Sequence, residues 1–234
     1  MPQMKTKEYG ELDPRIDDHE KSNMRQEGGD LLIHCDRIPI GVKKVIPNEI
    51  TAVTMALARA FQNDPVIVHL GGDRRLTVEQ LMPLFDTFIR IQMYGGLVFT
   101  TPGHEAAALW APPGKWKIGI LQIIRYTPRF LRLYGNRFFS NLEMLYDIER
   151  VHPTEAHYYL EFLGTDPQHQ GKGFGRALME PMIKRADQEG MGIYLENSNE
   201  KNNAFYAKFD FKVRRIMKYS RNGPSTWLMW RDPR

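Results

Sequence analysis

The order of periodicities along the 234 residues predicts an α/β or α+β domain built on one mixed sheet. Three observations carry that prediction. Short extended apolar runs alternate with segments of helical period. Two strand–turn–strand units, one near 97–110 and one near 211–231, call for antiparallel pairing. Between them, an apolar run at 157–165 passes through Asp166-Pro167 into a glycine-rich turn that opens directly onto an amphipathic helix.

Residues 1–38 are charged and polar, with Asp13-Pro14 and Gly28-Gly29 as breakers, and read as a flexible or partly ordered extension. The domain itself is expected over 39–234. His34, Cys35 and Asp36 stand together, but three adjacent side chains do not converge on one ion, so the trio reads as structural. Residues 40–46 form the expected first strand. Asn48 is placed as the N-cap of a helix in which Ile50, Val53, Leu57, Ala60 and Phe61 recur at helical spacing. Asn63-Asp64-Pro65 ends it, because the residue before a proline avoids the helical conformation. A second helix is expected from about Thr77 to Tyr94, with Leu81, Leu84, Phe85, Phe88 and Ile89 on one stripe and Pro83 near its start. Gly95-Gly96 stops it, and 97–100 and 106–110 pair as a hairpin around Pro102-Gly103.

From 115 to 142 no acidic residue occurs, and Lys115, Lys117, Arg125, Arg129, Arg132 and Arg137 interleave with aromatics. Such a stretch can bind single-stranded nucleic acid or lie on a membrane. The more economical reading is a helical insert with its aromatics packed inward and its arginines solvated. After the strand at 157–165 the helix at 174–189 buries Phe174, Ala177, Leu178, Met182 and Ala186. Pro181 interrupts it at a cost of about 3 kcal/mol if uncompensated. Gly190 caps it. A strand at 193–196, a short helix at 202–208 and a closing pair of strands complete the chain.

The composition excludes several classes. With 42% hydrophobic and 26% charged residues the chain is an ordinary globular one. A net charge of +4 and a pI near 9.1 favour anionic ligands but are too slight to indicate nucleic acid. The single cysteine, Cys35, precludes an intrachain disulfide. No apolar run approaches a membrane span, and the polar N-terminus has no signal-peptide core, so a cytoplasmic protein without membrane or nucleic-acid partners is expected, as monomer or homodimer.

Chemistry concentrates in Gln170-Gly171-Lys172-Gly173-Phe174-Gly175-Arg176. A turn of small residues at a helix N-terminus presents unpaired N–H groups to a polyanion. The glycines fall as Gly-x-Gly-x-Gly, not the dinucleotide spacing Gly-x-Gly-x-x-Gly, and no Ser or Thr follows a Gly-Lys pair as a Walker loop needs. Gln/Arg-x-x-Gly-x-Gly/Ala is met by Gln170, Gly173 and Gly175.

That pattern resembles the acetyl-CoA pyrophosphate loop of the GNAT N-acetyltransferases, and the likeness extends over about 45–231. Leu195-Glu196-Asn197-Ser198 followed by Asn202-Asn203-Ala204-Phe205-Tyr206 is similar to the family's second signature. The stretches 108–114 and 157–160, with Pro181, resemble the puromycin-acetyltransferase-like branch. One departure is Asp210-Phe211 where the family commonly has Gly-Phe; Asp tolerates a left-handed backbone better than most residues.

The resemblance implies a largely antiparallel twisted sheet flanked by helices, with acetyl-CoA at a splayed strand pair, no metal, and direct transfer to an amine acceptor. It implies that the N–H groups of Gly171, Lys172, Gly173, Phe174, Gly175 and Arg176, with Gln170 shaping the turn, hold the pyrophosphate, and that Asn202 belongs to the coenzyme site. It further implies that Leu163, Gly164 and Thr165 pair with the pantetheine arm, a backbone N–H near Leu163 polarising the thioester oxygen. Tyr206 becomes the proton donor to the thiolate, since a phenol near 10 and a thiol near 8.5 need only modest tuning. Glu161, sharing a face with Tyr159 and Leu163, is either the general base or a rim carboxylate that orients substrate; a water chain can also serve as base. His157, His104 and the chain's carboxyl end are weaker candidates. The acceptor is expected to be a small-molecule amine. A protein amine, or a non-catalytic acyl-CoA-binding role, are the alternatives.

Overall fold

The computed structural model describes residues 41–234 apart from Ile118, Asn136 and 219–222. The extension at 1–38, with His34-Cys35-Asp36, therefore lies outside the described residues.

Strand β1 (Lys43–Lys44) is followed by a turn of 3-10 helix and by α1 (Ile50–Phe61). The expected strand at 40–46 is thus only two residues long where it is described. Asn48 is not the cap either: Glu49 reaches back to accept the Ile46 N–H at 3.2 Å, closing the entry turn from inside. Asn63-Asp64-Pro65 does end α1, but Asp64 at once accepts the N–H groups of Val66 and Ile67 (2.9 and 3.1 Å) and starts a further helix, α2 (Pro65–Leu70). Proline at a first helical position loses no bond, so one tripeptide stops one helix and starts the next. Helix α3 (Val78–Met93) opens on a reciprocal cap, with Gln80 N–H on the Thr77 hydroxyl and Thr77 N–H on the Gln80 amide oxygen. Pro83 lies in its second turn rather than its first, so it does remove one backbone donor from the ladder.

The hairpin β2 (Leu97–Thr100) and β3 (Ala106–Ala111) forms as expected. The basic-aromatic stretch folds into α4 (Ile120–Tyr134), which Gly135 at φ +55° separates from α5 (Arg137–Val151). Tyr126 is buried and Phe130 and Leu133 pack inward, while Arg129 pairs with Asp86 and Lys117 with Glu149. Then come β4 (His157–Thr165), α6 (Phe174–Gln188), β5 (Gly192–Asn197), α7 (Asn203–Ala207), β6 (Lys212–Lys218) and β7 (Ser225–Arg231). Helix α6 runs through the buried Pro181 without ending. Asp210 adopts φ +66°, the left-handed turn in which the family commonly has glycine.

The seven strands run in the order β1-β2-β3-β4-β5-β7-β6, antiparallel at every step except β4–β5. On one face α6 and α7 cover Ala106, Ala108, Trp110, Leu160, Ile193 and Leu195; on the other α1 and α3 cover Ala107, Leu109 and Phe162. No helix among the described residues is long and apolar enough to cross a membrane.

Candidate active site

The parallel strands β4 and β5 pair only from His157 with Gly192 to Leu160 with Leu195. Beyond Leu160 the strand β4 keeps β3 as a neighbour but loses β5, while β5 continues against β7. The sheet therefore opens into a cleft along residues 161–165, leaving backbone groups on that edge for a ligand to pair with.

At the mouth of the cleft a bulge falls opposite the Leu109–Trp110 step: Leu109 faces Phe162, whereas Trp110 faces Leu160, and Glu161 is the extra residue. A bulge reverses the side-chain alternation beyond it. Phe162 consequently turns into the α1–α3 face, meeting Phe61, Phe85 and Phe88 at 5.5, 5.4 and 5.0 Å between ring centroids. Leu163 turns to the α6 side. The expectation that Glu161, Tyr159 and Leu163 share a face is thus corrected: Glu161 keeps company with Tyr159, not with Leu163.

Gly164 follows, and a Cβ there would stand 2.9 Å from atoms of Leu57, Ala60 and Phe61, so α1 packs directly on this strand. The corner after Thr165 is pinned by Asp166, which is buried, accepts from Arg59 at 3.0 Å and from the Gln168 N–H at 3.1 Å, and donates its own N–H to Glu105 O at 2.9 Å. Gln170 donates to Thr165 O at 3.3 Å, so it holds the loop against the end of β4. Gly171 and Gly173 take φ +78° and +91°, a region other residues enter at a cost, and Gly173 stands just ahead of α6. A backbone bond from Ala177 N–H to Gly173 O (3.0 Å) opens the helix, so the N–H groups of its first turn, those of Phe174 and Gly175 among them, point toward the glycine loop. Residues 171–173 and Arg176 are exposed, and Lys172 adds a cation. Gly175 stays close to Phe205 of α7, 3.4 Å from where its Cβ would be.

Glu161 faces away from this loop. Its carboxylate accepts from Gln92 of α3 at 2.7 Å. Burial pushes its pKa up to about 7; the Gln92 bond opposes the rise and the nearby Glu196 carboxylate adds to it. Around it lies a polar cluster that no sequence pattern gathers: Tyr159 donates to Glu196 at 2.6 Å, and His152, just past α5, stands beside Glu196 with Trp116 stacked on its ring at 3.6 Å. Glu196 and Gln92 carry no spacing signal, since one lies within an apolar strand and the other at the end of an amphipathic helix.

Tyr206 is buried against Phe205 and Phe211. Burial first, then the Asp64 carboxylate, push its phenol well above its ordinary value. The expected tuning thus runs the other way: Tyr206 keeps its proton. Asp64, itself pushed up by burial, is bonded by Ser198 just past β5, tying the α1–α2 corner to the far wall of the cleft. Asn202 is exposed at the turn before α7; its neighbour Asn203 takes the Asn197 amide at 2.7 Å. The weaker base candidates lie elsewhere: His104 is bonded to Glu49 at 3.2 Å, His157 is enclosed behind His152, and the Arg234 N–H is bonded to Asp187 in the last turn of α6, away from the glycine loop. No group of three or more His, Cys, Asp or Glu among the described residues is placed to hold a metal.

The sequence pattern of the acetyltransferase (GNAT) family matches residues 137–211, from the start of α5 to just past α7. A Schizosaccharomyces pombe protein described as an uncharacterized N-acetyltransferase is 30% identical over 207 residues, 83% of this chain and 84% of its own. The chain belongs to the GNAT family. Among solved structures, this GNAT domain is similar to a Corynebacterium glutamicum protein described as histone acetyltransferase HPA2 and related acetyltransferase (TM-score 0.64, 23% identity, 82% of this chain and 96% of that one). It is also similar to a Drosophila melanogaster polyamine N-acetyltransferase (TM-score 0.55, 15% identity, 82% and 98%). At those identities the likeness is one of fold. The protein is an acyltransferase of the N-acetyl class with the mixed, mostly antiparallel sheet of the family.

Proposed function

We propose that this GNAT enzyme transfers acetyl from acetyl-CoA to the amine of a small molecule, directly and within a ternary complex. The observation that carries the reading is the cleft between β4 and β5, with an N–H cradle at one end and the half-buried Glu161 carboxylate at the other.

The residues present fit the coenzyme. Gly171, with no atom within 4 Å of its missing Cβ, and left-handed Gly173 leave the backbone of 171–176 open to a pyrophosphate, and Lys172 adds charge. Along Leu163, Gly164 and Thr165 the backbone groups of Leu163 and Thr165 face the open edge and can pair with the pantetheine arm, while Gly164 faces β3, and the Leu163 N–H would polarise the carbonyl oxygen. Acetyl-CoA supplies an activated thioester when bound. Glu161, near 7, takes a proton from the amine when ionised and holds it at neutral pH, as a general base must. Tyr206, kept neutral by burial, donates a hydrogen bond to the leaving sulfur rather than surrendering its proton outright. Asn202 stands exposed near the same end.

Two features support a small cationic acceptor. The segments just before α4 and just after α5 set the stacked rings of Trp116 and His152 against the Tyr159–Glu196 side of the sheet, a packed aromatic wall that suits a small acceptor better than a folded protein. The carboxylates of Glu161 and Glu196 favour an ammonium over a neutral group. The single cysteine accords with a cytoplasmic setting.

The test is thiol release from acetyl-CoA with the pure protein and a panel of monoamines, diamines and lysine peptides. Turnover restricted to small amines is expected. Turnover of peptides alone would replace the acceptor class, and coenzyme binding without any turnover would leave only a binding module.

A further inference from the structure

His157, His152 and Glu196 form a buried file whose hydrogen positions follow from geometry. His157 Nδ1 lies 2.6 Å from Glu155 O; a carbonyl only accepts, so this nitrogen carries the proton. Burial pulls the His157 pKa down, which keeps the ring neutral and makes Nε2 its acceptor. His152 Nε2 lies 3.0 Å from that Nε2 and must be the donor. A neutral His152 then has a bare Nδ1, and the group opposite it, 3.7 Å away, is Glu196 Oε1. Both atoms are buried and neither has a hydrogen-bond partner among the described residues. Two acceptors thus face each other, in side chains exposed by only 0% and 9%, with one proton missing between them.

We propose that Glu196 and His152 together bind a single proton and serve the acetyl-transfer reaction as a second proton receiver beside Glu161. The role in catalysis rests on the acetyltransferase reading above; the proton-binding pair does not.

The chemistry calls for two receivers. An ammonium acceptor becomes an amide by losing two protons as the N–C bond forms and the thioester C–S bond breaks. The sulfur leaves with the electron pair and takes back one of the two protons by way of solvent, so a net one is released per turnover. Glu161 receives the first. The second passes through Tyr159, whose oxygen accepts as its own proton moves to Glu196 Oε2, 2.6 Å away. Tyr159 bonds Glu196 directly and lies two residues before Glu161 on the same face of β4, so it neighbours both receivers. The groups facing the pair are Tyr159, Glu161 and His157 from β4, Tyr194 from β5, Trp116 ahead of α4, and Glu155 behind His157. His152 and Glu196 are positioning residues, since both act through Tyr159.

The experiment is an NMR pH titration of the full chain labelled with 15N-histidine and 13C-glutamate. His152 Nδ1 and the Glu196 carboxyl carbon should report one common step, and Glu196→Gln should move the Nδ1 step toward acid by about tenfold or more in proton concentration. Independent steps at the two atoms, or an Nδ1 step unmoved by Glu196→Gln, would overturn the pair. If Glu196→Gln does not fold, the wild-type titration alone decides.

For the catalytic role, kcat is followed against pH with the best amine of the panel. Two ionisations are expected on the acid limb of the wild type and one in His152→Gln, with the KM for acetyl-CoA unchanged. Two ionisations and a kcat within about twofold in His152→Gln would overturn that role. Absence of turnover with every amine would count against the proposed function, while the NMR titration would still decide the proton-binding pair.

Discussion

At the glycine-loop end of the cleft, the groups proposed to hold the coenzyme belong to the backbone of one continuous stretch, 171–176. At the other end they are side chains gathered from α3, β4, β5 and the segment after α5: Gln92, Tyr159, Glu161, Glu196 and His152. The first end is a local structure. Its left-handed glycines and free helix N-terminus follow from a short run of sequence, and any side chain that permits the turn would serve. The second is a tertiary structure, in which no two partners need be neighbours in the chain. A GNAT domain can in this way keep one coenzyme site while the acceptor site changes by substitution at scattered positions.

If the two ends are separable, substitutions should divide cleanly between turnover and coenzyme binding. The largest effect is expected from Glu161→Gln, which keeps the shape and the Gln92 neighbour but removes the proposed base. The turnover number should fall by about 10²–10⁴-fold with CoA affinity unchanged. In the wild type, kcat should rise with pH through about 7 if the ionised carboxylate acts as the proposed base.

The same carboxylate should cost stability. A folded value of about 7 against an ordinary 4.5 means the fold prefers the protonated acid. That preference is fully present below the unfolded value and is lost as pH rises through about 7. Glu161→Gln should therefore stabilise the protein at pH 9 by up to roughly 3 kcal/mol, and much less at pH 5, as read by urea unfolding at the two pH values. A variant no more stable at pH 9 than the wild type would contradict the burial assigned to this side chain.

Next in size is Gly173→Val at the other end. A β-branched residue at φ +91° strains the turn and fills the cradle, so CoA binding should weaken by about 100-fold or more, measured by calorimetry. Tyr206→Phe should lower kcat by about tenfold and leave CoA binding intact, the cost of one hydrogen bond to a charged sulfur. The smallest effect belongs to Gln170→Ala, which removes only the 3.3 Å tie to Thr165 O. It should raise the KM for acetyl-CoA by a factor of about 2–10. A larger loss of kcat than of coenzyme affinity in Gln170→Ala would mean that the two ends are mechanically coupled.

The same contrast between local and tertiary structure decides what is legible in the sequence. Strand β4, the glycine turn, α6 and the hairpin can be read there because each depends on a local pattern: alternation, a turn dipeptide, a helical stripe. So can the left-handed Asp210. Helix α2 is hidden because Asp64-Pro65 reads equally as a stop and a start. The bulge at Glu161 is invisible because it is a property of the pairing with β3, and it moves Leu163 to the opposite face. The proton file is hidden for the same reason. His157 stands out in the sequence only as a stray candidate, and nothing in the chain joins it to His152 and Glu196 except the sheet itself.

The central claim, that the coenzyme takes the place of the missing β5 partner along β4 and ends on the glycine loop, is tested most directly by hydrogen exchange with and without saturating CoA. Protection should be confined to the amides of Leu163 and Thr165, which face the cleft while Gly164 N–H faces β3, and to the glycine loop at 171–176, with those of Glu196 and Tyr159 unchanged. Protection of the acceptor end instead, or none along 163–165, would contradict it.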